Sequence, residues 1–202
     1  MNRLYGIDVP LIGITGGIAS GKSSFSNFIS ANDEQVLCAD KIIKKIYARP
    51  ETIRFIKSLQ PSAVESSGKI NFKKLRSLVF SDKNLKNTLE NYLHPQIKDI
   101  FLGEVIPSKK RVFYDVPLLF EKNMQDHFDY IILITTPKSE QLKRISQRDN
   151  SSPELIKKIL ASQIGQEEKK SRSDYIVENN SDLDYLKTEA KKVLDLIKLQ
   201  FP

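Results

Sequence analysis

A short segment near the N-terminus has the residue types and spacing that phosphate binding requires. Residues 16–23 read GGIASGKS and match the pattern G-x-x-x-x-G-K-[ST]. Glycines let backbone N–H groups converge on phosphate oxygens, and a following helix adds its positive N-terminal end. The Lys22 ammonium can neutralise β- and γ-phosphate oxygens, and the Ser23 hydroxyl is an oxygen ligand suited to Mg²⁺. The segment predicts binding of a nucleoside triphosphate such as ATP. The residues expected to contact the triphosphate are Gly16, Gly17, Ile18, Ala19, Ser20, Gly21, Lys22, Ser23 and Ser24.

Two aspartates that follow predicted strands could complete a phosphoryl-transfer site. Asp115 ends the apolar run RVFYD and could help to hold Mg²⁺, although an aspartate before Pro117 could also simply form a turn. Asp40 follows a second short strand, where it could accept the proton of a reacting hydroxyl or could cap the next helix. Ligands bind at the carboxyl ends of strands in open parallel sheets, so both positions suit a site.

The elements that must position these residues alternate between strands and helices at both ends of the chain. Helical patterns without strand signals occupy the middle. This arrangement predicts an α/β fold, a P-loop core whose parallel sheet is covered on both faces, with a helical insertion. Strands are expected at 10–15, 36–38, 111–115, 130–135 and 175–177, and inserted helices at 51–59, 72–80 and 82–105. The domain prediction is a core of 1–49, 106–137 and 173–202, a helical substrate insertion of 50–105, and a basic helical lid of 138–172.

Composition limits the function classes that remain. The chain has 202 residues with 40% hydrophobic and 28% charged side chains, which is typical of a folded globular protein. It has one cysteine, Cys38, which excludes an intrachain disulfide and is expected to be buried in a cytoplasmic protein. No apolar run reaches the roughly 18 to 20 residues that span a bilayer, so no membrane association is expected. The net charge of +7 suits anionic partners.

The basic segment 138–172 admits two interpretations. Its cations have few acidic neighbours in sequence, and Arg144 and Arg148 lie one helical turn apart, so a closing lid could turn both toward a triphosphate. Taken singly, each arginine fits a solvated surface equally well. A nucleic-acid-binding role is disfavoured because the chain has no Trp and the segment has neither Phe nor Tyr for stacking on bases.

The class of phosphate-binding protein can be narrowed. The N-K-x-D stretch of guanine-specific proteins does not occur, and neither does the second signature of a transporter-type ATPase. A small-molecule kinase therefore remains. A kinase acting on another metabolite or on a nucleotide would share the loop.

Six segments together resemble the dephospho-coenzyme A kinase family: GITGGIASGKS, CADKI, LHP, DVPLLFE, QLKRISQRD and DYIVENN. The resemblance implies a nucleoside-monophosphate-kinase-like core and ATP-dependent, Mg²⁺-dependent phosphorylation of the ribose 3′-hydroxyl of dephospho-coenzyme A. It implies a small-molecule substrate. We also expect no nucleic-acid partner and a monomer or weak homo-oligomer. By the same resemblance, Asp40 is the proposed base, Lys22, Arg144 and Arg148 are further catalytic residues, Ser23 and Asp115 are metal ligands, and the substrate contacts are Asp40, His94, Asp115 and Leu118. A histidine in a helix can also be purely structural.

The chain departs from the family pattern at a few positions. Cys38 stands where the family has the first carboxylate of Asp-Ala-Asp. Ala19 replaces a usual glycine at what is expected to be a tolerant position of the loop, and Ser173 replaces a common alanine. Lys169 stands where the lid commonly has arginine, so the charge is kept but the two-pronged guanidinium is lost.

Overall fold

The chain forms a five-stranded parallel sheet with the strand order β2-β3-β1-β4-β5. The structure is a computed structural model that describes residues 3–107, 109–149 and 163–202, and of 147–149 it describes the backbone only. The strands are β1 (Leu11–Gly16), β2 (Gln35–Cys38), β3 (Val112–Asp115), β4 (Tyr130–Thr135) and β5 (Tyr175–Glu178). Every residue of β1, β3 and β4 is buried, as expected for inner strands covered on both faces. The predicted α/β class and the predicted strands are confirmed.

The strand register brings the ends of three strands together at one edge. Ile14 of β1 pairs with Asp115 of β3, and Cys38 of β2 pairs with the same Asp115. The loop after β1 and the carboxylate at the end of β3 therefore lie at the same carboxyl edge of the sheet. Cys38, expected to be buried, is only half-buried because β2 is an edge strand.

The chain divides into two compact units, and the first contains the sheet. This unit comprises residues 1–39 and 105–202. Helices cover both faces of the sheet. One large apolar cluster joins the inner strands to the first and last helices of the unit, for example through Phe25, Ile29 and Val193. The helices of this unit in the described residues are α1 (Lys22–Ala31), α6 (Lys138–Asp149), α7 (Gln166–Ser171) and α8 (Leu183–Gln200).

The second unit, residues 40–104, is helical. Its helices are α2 (Ala39–Tyr47), α3 (Pro50–Leu59), α4 (Phe72–Ser81) and α5 (Lys83–Glu104). The unit begins at Asp40 rather than at Pro50, since α2 packs on its other helices. The Tyr47 ring meets the Phe72 ring edge-on at 5.2 Å, and Lys45 forms an ion pair with Glu104.

None of the helices in the described part of the chain is both long enough and apolar enough to cross a membrane.

Candidate active site

The phosphate loop connects β1 to α1 with a strained backbone. Gly21, the residue before α1, has φ of 95°, a value that glycine adopts at little cost. A Cβ at Gly21 would also collide with the side-chain amide of Asn179. Ala19 has φ of 57°, in the left-handed region that costs an L-residue roughly 1–2 kcal/mol. The expectation that position 19 is tolerant is therefore wrong, because this backbone favours glycine.

Lys22 forms an ion pair with Asp115 at the carboxyl edge of the sheet. The side chains of Lys22 and Asp115 are 12% and 4% exposed, so the pair is largely shielded from water. The second carboxylate oxygen of Asp115 accepts a hydrogen bond from the Ser26 hydroxyl at 3.0 Å. Lys22 and Ser26 are four residues apart on α1, and this spacing turns both side chains toward the end of β3. Asp115 is thus anchored to the phosphate loop.

The oxygen groups at this edge fit a magnesium ion in type. Ser23 is exposed in the first turn of α1, and Asp115 supplies a carboxylate. Mg²⁺ is usually held by one or two such protein oxygens together with substrate phosphates and water. In the described ranges no group of three or more His, Cys, Asp or Glu side chains could hold a metal by itself. The residues therefore suit an ion that arrives with a nucleotide.

Asp40 is exposed and lies in the first turn of α2, two residues after β2 ends. Among the described residues, no hydrogen bond uses its carboxylate, and α2 already begins at Ala39. The capping interpretation therefore has no contact to support it. A carboxylate in the first turn is still favourable toward the helix dipole.

Asp40 lines a cavity of about 490 Å³ within the helical unit. The wall is largely apolar and also includes the Asp40 carboxylate and two cations. Its lining residues are Asp40, Ile43, Lys44, Tyr47, Phe72, Leu75, Arg76, Val79 and Leu89. In the part of the chain that the structure describes, neither Lys44 nor Arg76 has an acidic partner. Burial raises the pKa of the Tyr47 phenol, which therefore stays neutral and able to donate. The cavity can thus accept a long ligand that is partly apolar and partly anionic.

The two remaining predicted substrate contacts lie elsewhere. His94 is exposed in the middle of α5 and does not line this cavity. Leu118 belongs to the sheet unit, where it is 40% exposed, whereas its neighbours Leu119 and Phe120 are fully buried. Within the DVPLLFE motif, Leu118 is therefore the leucine that remains available to a ligand.

The structure describes the side chain of only one of the two predicted lid arginines. The Arg144 guanidinium on α6 donates to the carbonyl of Ala19 at 3.3 Å and to the carbonyl of Asn179 at 3.4 Å. It therefore contacts the phosphate loop through backbone atoms and is not a freely solvated side chain. The side chain of Arg148 lies outside the described residues.

The cations at the end of the basic segment are paired, although the segment is predicted to have few acidic neighbours for its cations. Lys169 is almost fully buried and pairs with Glu121 at 2.7 Å. Lys170 pairs with Glu178 at 3.2 Å, and Arg172 forms an ion pair with Glu168 on the preceding helix turn. Some of these partners come from distant positions or from the next strand, whereas Lys170 also pairs with Glu167 within the segment itself.

Two residues of the site are not predicted by the sequence pattern. Ser26 could have been found from its helical spacing to Lys22. Asn179 follows β5 inside the DYIVENN motif, and its side-chain amide donates to the carbonyl of Ser20 at 2.8 Å. A polar residue directly after a strand at the carboxyl edge is the signal that could have identified Asn179.

The parallel sheet, the loop before α1, and the lysine–aspartate pair define a P-loop kinase fold. A family model described as dephospho-CoA kinase matches residues 10–184. The chain belongs to the dephospho-CoA kinase family, whose members are kinases that transfer phosphate to an alcohol group.

Individual relatives agree with this assignment. The chain is 34% identical to a dephospho-CoA kinase of Fusobacterium nucleatum over 95% of its own length and 100% of the relative's. A solved Thermus thermophilus protein matches with a TM-score of 0.83 and 30% identity, over 94% of this chain and 98% of the other. The dephospho-CoA kinase of Campylobacter jejuni matches with a TM-score of 0.61 and 31% identity, over 93% and 96%. Membership of a kinase family implies ATP as the phosphoryl donor.

Proposed function

We propose that this protein transfers the γ-phosphoryl group of ATP to the ribose 3′-hydroxyl of dephospho-coenzyme A, with Mg²⁺ bound to the nucleotide. The observation that carries the proposal is the cavity of the helical unit, which combines an apolar wall with one carboxylate and two cations that have no ion-pair partner among the described residues. Dephospho-coenzyme A needs each of these, since it has a reacting hydroxyl, a diphosphate and a long, weakly polar pantetheine arm.

The phosphate loop and Lys22 hold the donor in this proposal. The backbone N–H groups of the loop donate to phosphate oxygens, and Lys22 exchanges its contact with Asp115 for the β- and γ-phosphates. Ser23 and Asp115 are the oxygen ligands proposed for Mg²⁺, which neutralises phosphate charge when it is bound. Asp115 thus keeps Lys22 oriented until the nucleotide arrives.

Asp40 is the proposed proton acceptor. The 3′-oxygen forms a bond to the γ-phosphorus while the bond from that phosphorus to the β,γ-bridging oxygen breaks, and ADP leaves. The hydroxyl proton passes to the Asp40 carboxylate, which no other side chain among the described residues engages. Such assistance is typically worth about a hundredfold to ten-thousandfold in rate.

The two cations of the cavity are the proposed contacts for the acceptor's diphosphate. Lys44 lies one helical turn after Asp40 on α2, and Arg76 lies on α4. The apolar side chains of the cavity wall then contact the pantetheine arm. Leu118 and His94 stay predicted acceptor contacts, and Arg144 and Arg148 stay predicted triphosphate contacts of a closing lid. The cytoplasmic location and the monomeric or weakly oligomeric state also stay predictions.

The activity is tested by incubating the protein with ATP, Mg²⁺ and dephospho-coenzyme A, beside a panel of nucleoside monophosphates. We expect ADP and coenzyme A to form in equal amounts, with little turnover of the panel. Faster phosphorylation of another acceptor would overturn the proposed substrate.

Asp40→Asn tests the role of the carboxylate, with Asp99→Asn on the exposed face of α5 as the matched control. We expect kcat to fall at least about a hundredfold for Asp40→Asn while the free energy of unfolding changes by less than roughly 0.5 kcal/mol. An unchanged kcat would exclude Asp40 as the base. A large stability loss that accounts for the lost activity would favour a purely structural role.

Arg76→Ala tests the acceptor cavity, with Arg54→Ala, also exposed in the helical unit, as its control. We expect the KM for dephospho-coenzyme A to rise by about tenfold, as for one lost charge-assisted hydrogen bond of about 1.5 kcal/mol, with the KM for ATP unchanged. Equal acceptor KM values for the two variants would place the diphosphate elsewhere.

A further inference from the structure

Asn179 is fixed by its backbone at the carboxyl edge of the sheet. Its N–H donates to the carbonyl of Thr135 at 2.8 Å, and its carbonyl accepts from the Thr136 hydroxyl at 2.7 Å. The residue is 4% exposed. Thr135 at the end of β4 and Thr136 after it therefore hold the Asn179 backbone, and burial restricts the side chain.

The side chain of Asn179 holds the phosphate loop at one peptide. Its Nδ2 donates to the carbonyl of Ser20 in a buried hydrogen bond of 2.8 Å. It also lies so close to Gly21 that a Cβ there would collide with it. The contact therefore acts on the peptide unit that joins Ser20 to Gly21.

Because the Ser20–Gly21 peptide is rigid, this contact also fixes the direction of the Gly21 N–H. In a trans peptide the carbonyl and the N–H point in opposite directions. Because the Ser20 carbonyl points at Asn179, the Gly21 N–H points away from Asn179. Among the described residues this N–H donates to no acceptor, so it is available to a ligand. Rotation of this peptide would turn the N–H away and present a carbonyl oxygen to the phosphate.

The neighbouring peptide is held by the same group of atoms. Arg144 donates to the carbonyl of Ala19 and, through its other nitrogen, to the carbonyl of Asn179. Asn179 and Arg144 thus restrain two successive carbonyls of a loop whose Ala19 is itself strained. Without these restraints the strain at Ala19 favours a different loop conformation.

We propose that Asn179 is a positioning residue for nucleotide phosphate, which fixes the Ser20–Gly21 peptide so that the Gly21 N–H faces the phosphate. This inference rests on the proposed function to the extent that the loop must bind a nucleotide. It does not depend on the acceptor or on Asp40.

The test measures the Kd of ADP for the full chain by calorimetry, well below the melting temperature of each variant. Asn179→Ala removes the donor, Asn179→Asp places a carboxylate oxygen against the Ser20 carbonyl, and Asn180→Ala at the exposed neighbour is the matched control. We expect the Kd to rise about two- to tenfold for Asn179→Ala, as for one lost hydrogen bond, and further for Asn179→Asp. Asn180→Ala should bind like the wild type.

Hydrogen exchange and kinetics separate positioning from a merely structural role. In Asn179→Ala we expect faster exchange at residues 17–22 with unchanged exchange in β4, and a higher KM for ATP with an unchanged KM for the acceptor. A lower melting temperature with wild-type ADP affinity and wild-type loop exchange would overturn the inference. If the wild-type chain binds no ADP, the proposed function fails first. If it binds ADP and the Asn179 variants bind equally well, only this inference fails.

Discussion

The buried pair of Lys169 and Glu121 makes a sharp prediction for stability. One carboxylate oxygen of Glu121 accepts both the Lys169 ammonium at 2.7 Å and the N–H of Ile164 at 3.1 Å. The other oxygen is buried and has no hydrogen-bond partner within residues 3–107, 109–149 and 163–202. The Lys169 ammonium contacts only the first of these oxygens, whereas the planar guanidinium of an arginine can donate to two carboxylate oxygens at once. We therefore predict that Lys169→Arg stabilises the protein.

The size of the stability gain expected for Lys169→Arg follows from the unsatisfied oxygen of Glu121 and the space beside Lys169. An unpaired buried acceptor costs about 1–3 kcal/mol, and this sets the upper limit of the gain. Lys169 lines a cavity of about 210 Å³, which offers space beside the side chain for the larger guanidinium. Allowing for the restriction of the new side chain, we expect a gain of about 1–2 kcal/mol. For a chain of this size that raises Tm by about 2–8 °C.

The assay is thermal unfolding followed by circular dichroism, with Lys170→Arg as the matched control. Lys170 pairs with Glu167 and Glu178, whose side chains are 87% and 52% exposed, so its replacement should change stability by less than roughly 0.5 kcal/mol. Lys169→Met completes the series. It leaves Glu121 buried without a cation and should cost about 3–5 kcal/mol.

A Tm for Lys169→Arg at or below that of the wild type, with the control neutral, would refute the reasoning. The unpaired oxygen would then carry no cost. A mild effect of Lys169→Met would refute it independently, since the pair would not be shielded from water as its 3% and 12% exposed side chains indicate.

Three further predictions concern the site. Lys22→Ala should lower kcat by at least about a hundredfold, while replacement of the exposed Lys191 by Ala should leave kcat unchanged. If a folded Lys22→Ala protein kept more than about a tenth of the wild-type kcat, the role of Lys22 in phosphoryl transfer would be excluded. Ala19→Gly should raise the free energy of unfolding, measured by chemical denaturation, by up to about 1 kcal/mol, because the left-handed backbone no longer carries a Cβ. A loss of stability would show that the backbone of Ala19 is not strained. Leu118→Ala should raise the KM for the acceptor severalfold at unchanged Tm. Phe80→Ala removes another exposed apolar side chain and should leave that KM unchanged. Equal KM values for the two variants would exclude Leu118 from the acceptor site.

The strands and the phosphate loop could be predicted because their signals are local. The inner strands are continuous apolar runs, and the loop pattern is complete within residues 16–23. The pairing of Lys22 with the end of β3 also follows, once parallel strands are expected to end at one edge.

The contacts that could not be predicted join distant residues or depend on loop closure. Asn179 and Ser20 are 159 positions apart, and no local periodicity relates them. Lys169 contacts Glu121 only after both elements have packed, so the sequence alone suggests that this charged side chain is exposed. The left-handed conformation of Ala19 is imposed by the loop between two fixed elements and contradicts the local preference of alanine.

The central position of β1 has a consequence for the order in which the protein can fold. β1 lies between β3 and β4, so Leu11 pairs with Val112 and Ile12 with Tyr130. Closing contacts over such long stretches of chain is slow, and a chain emerging from the ribosome has no partner for β1 until those strands have been made. The helical unit of residues 40–104 contains only nearer contacts and can form earlier. The phosphate loop, although it precedes the helical unit in the sequence, is therefore among the last parts of the molecule to acquire its working shape during synthesis.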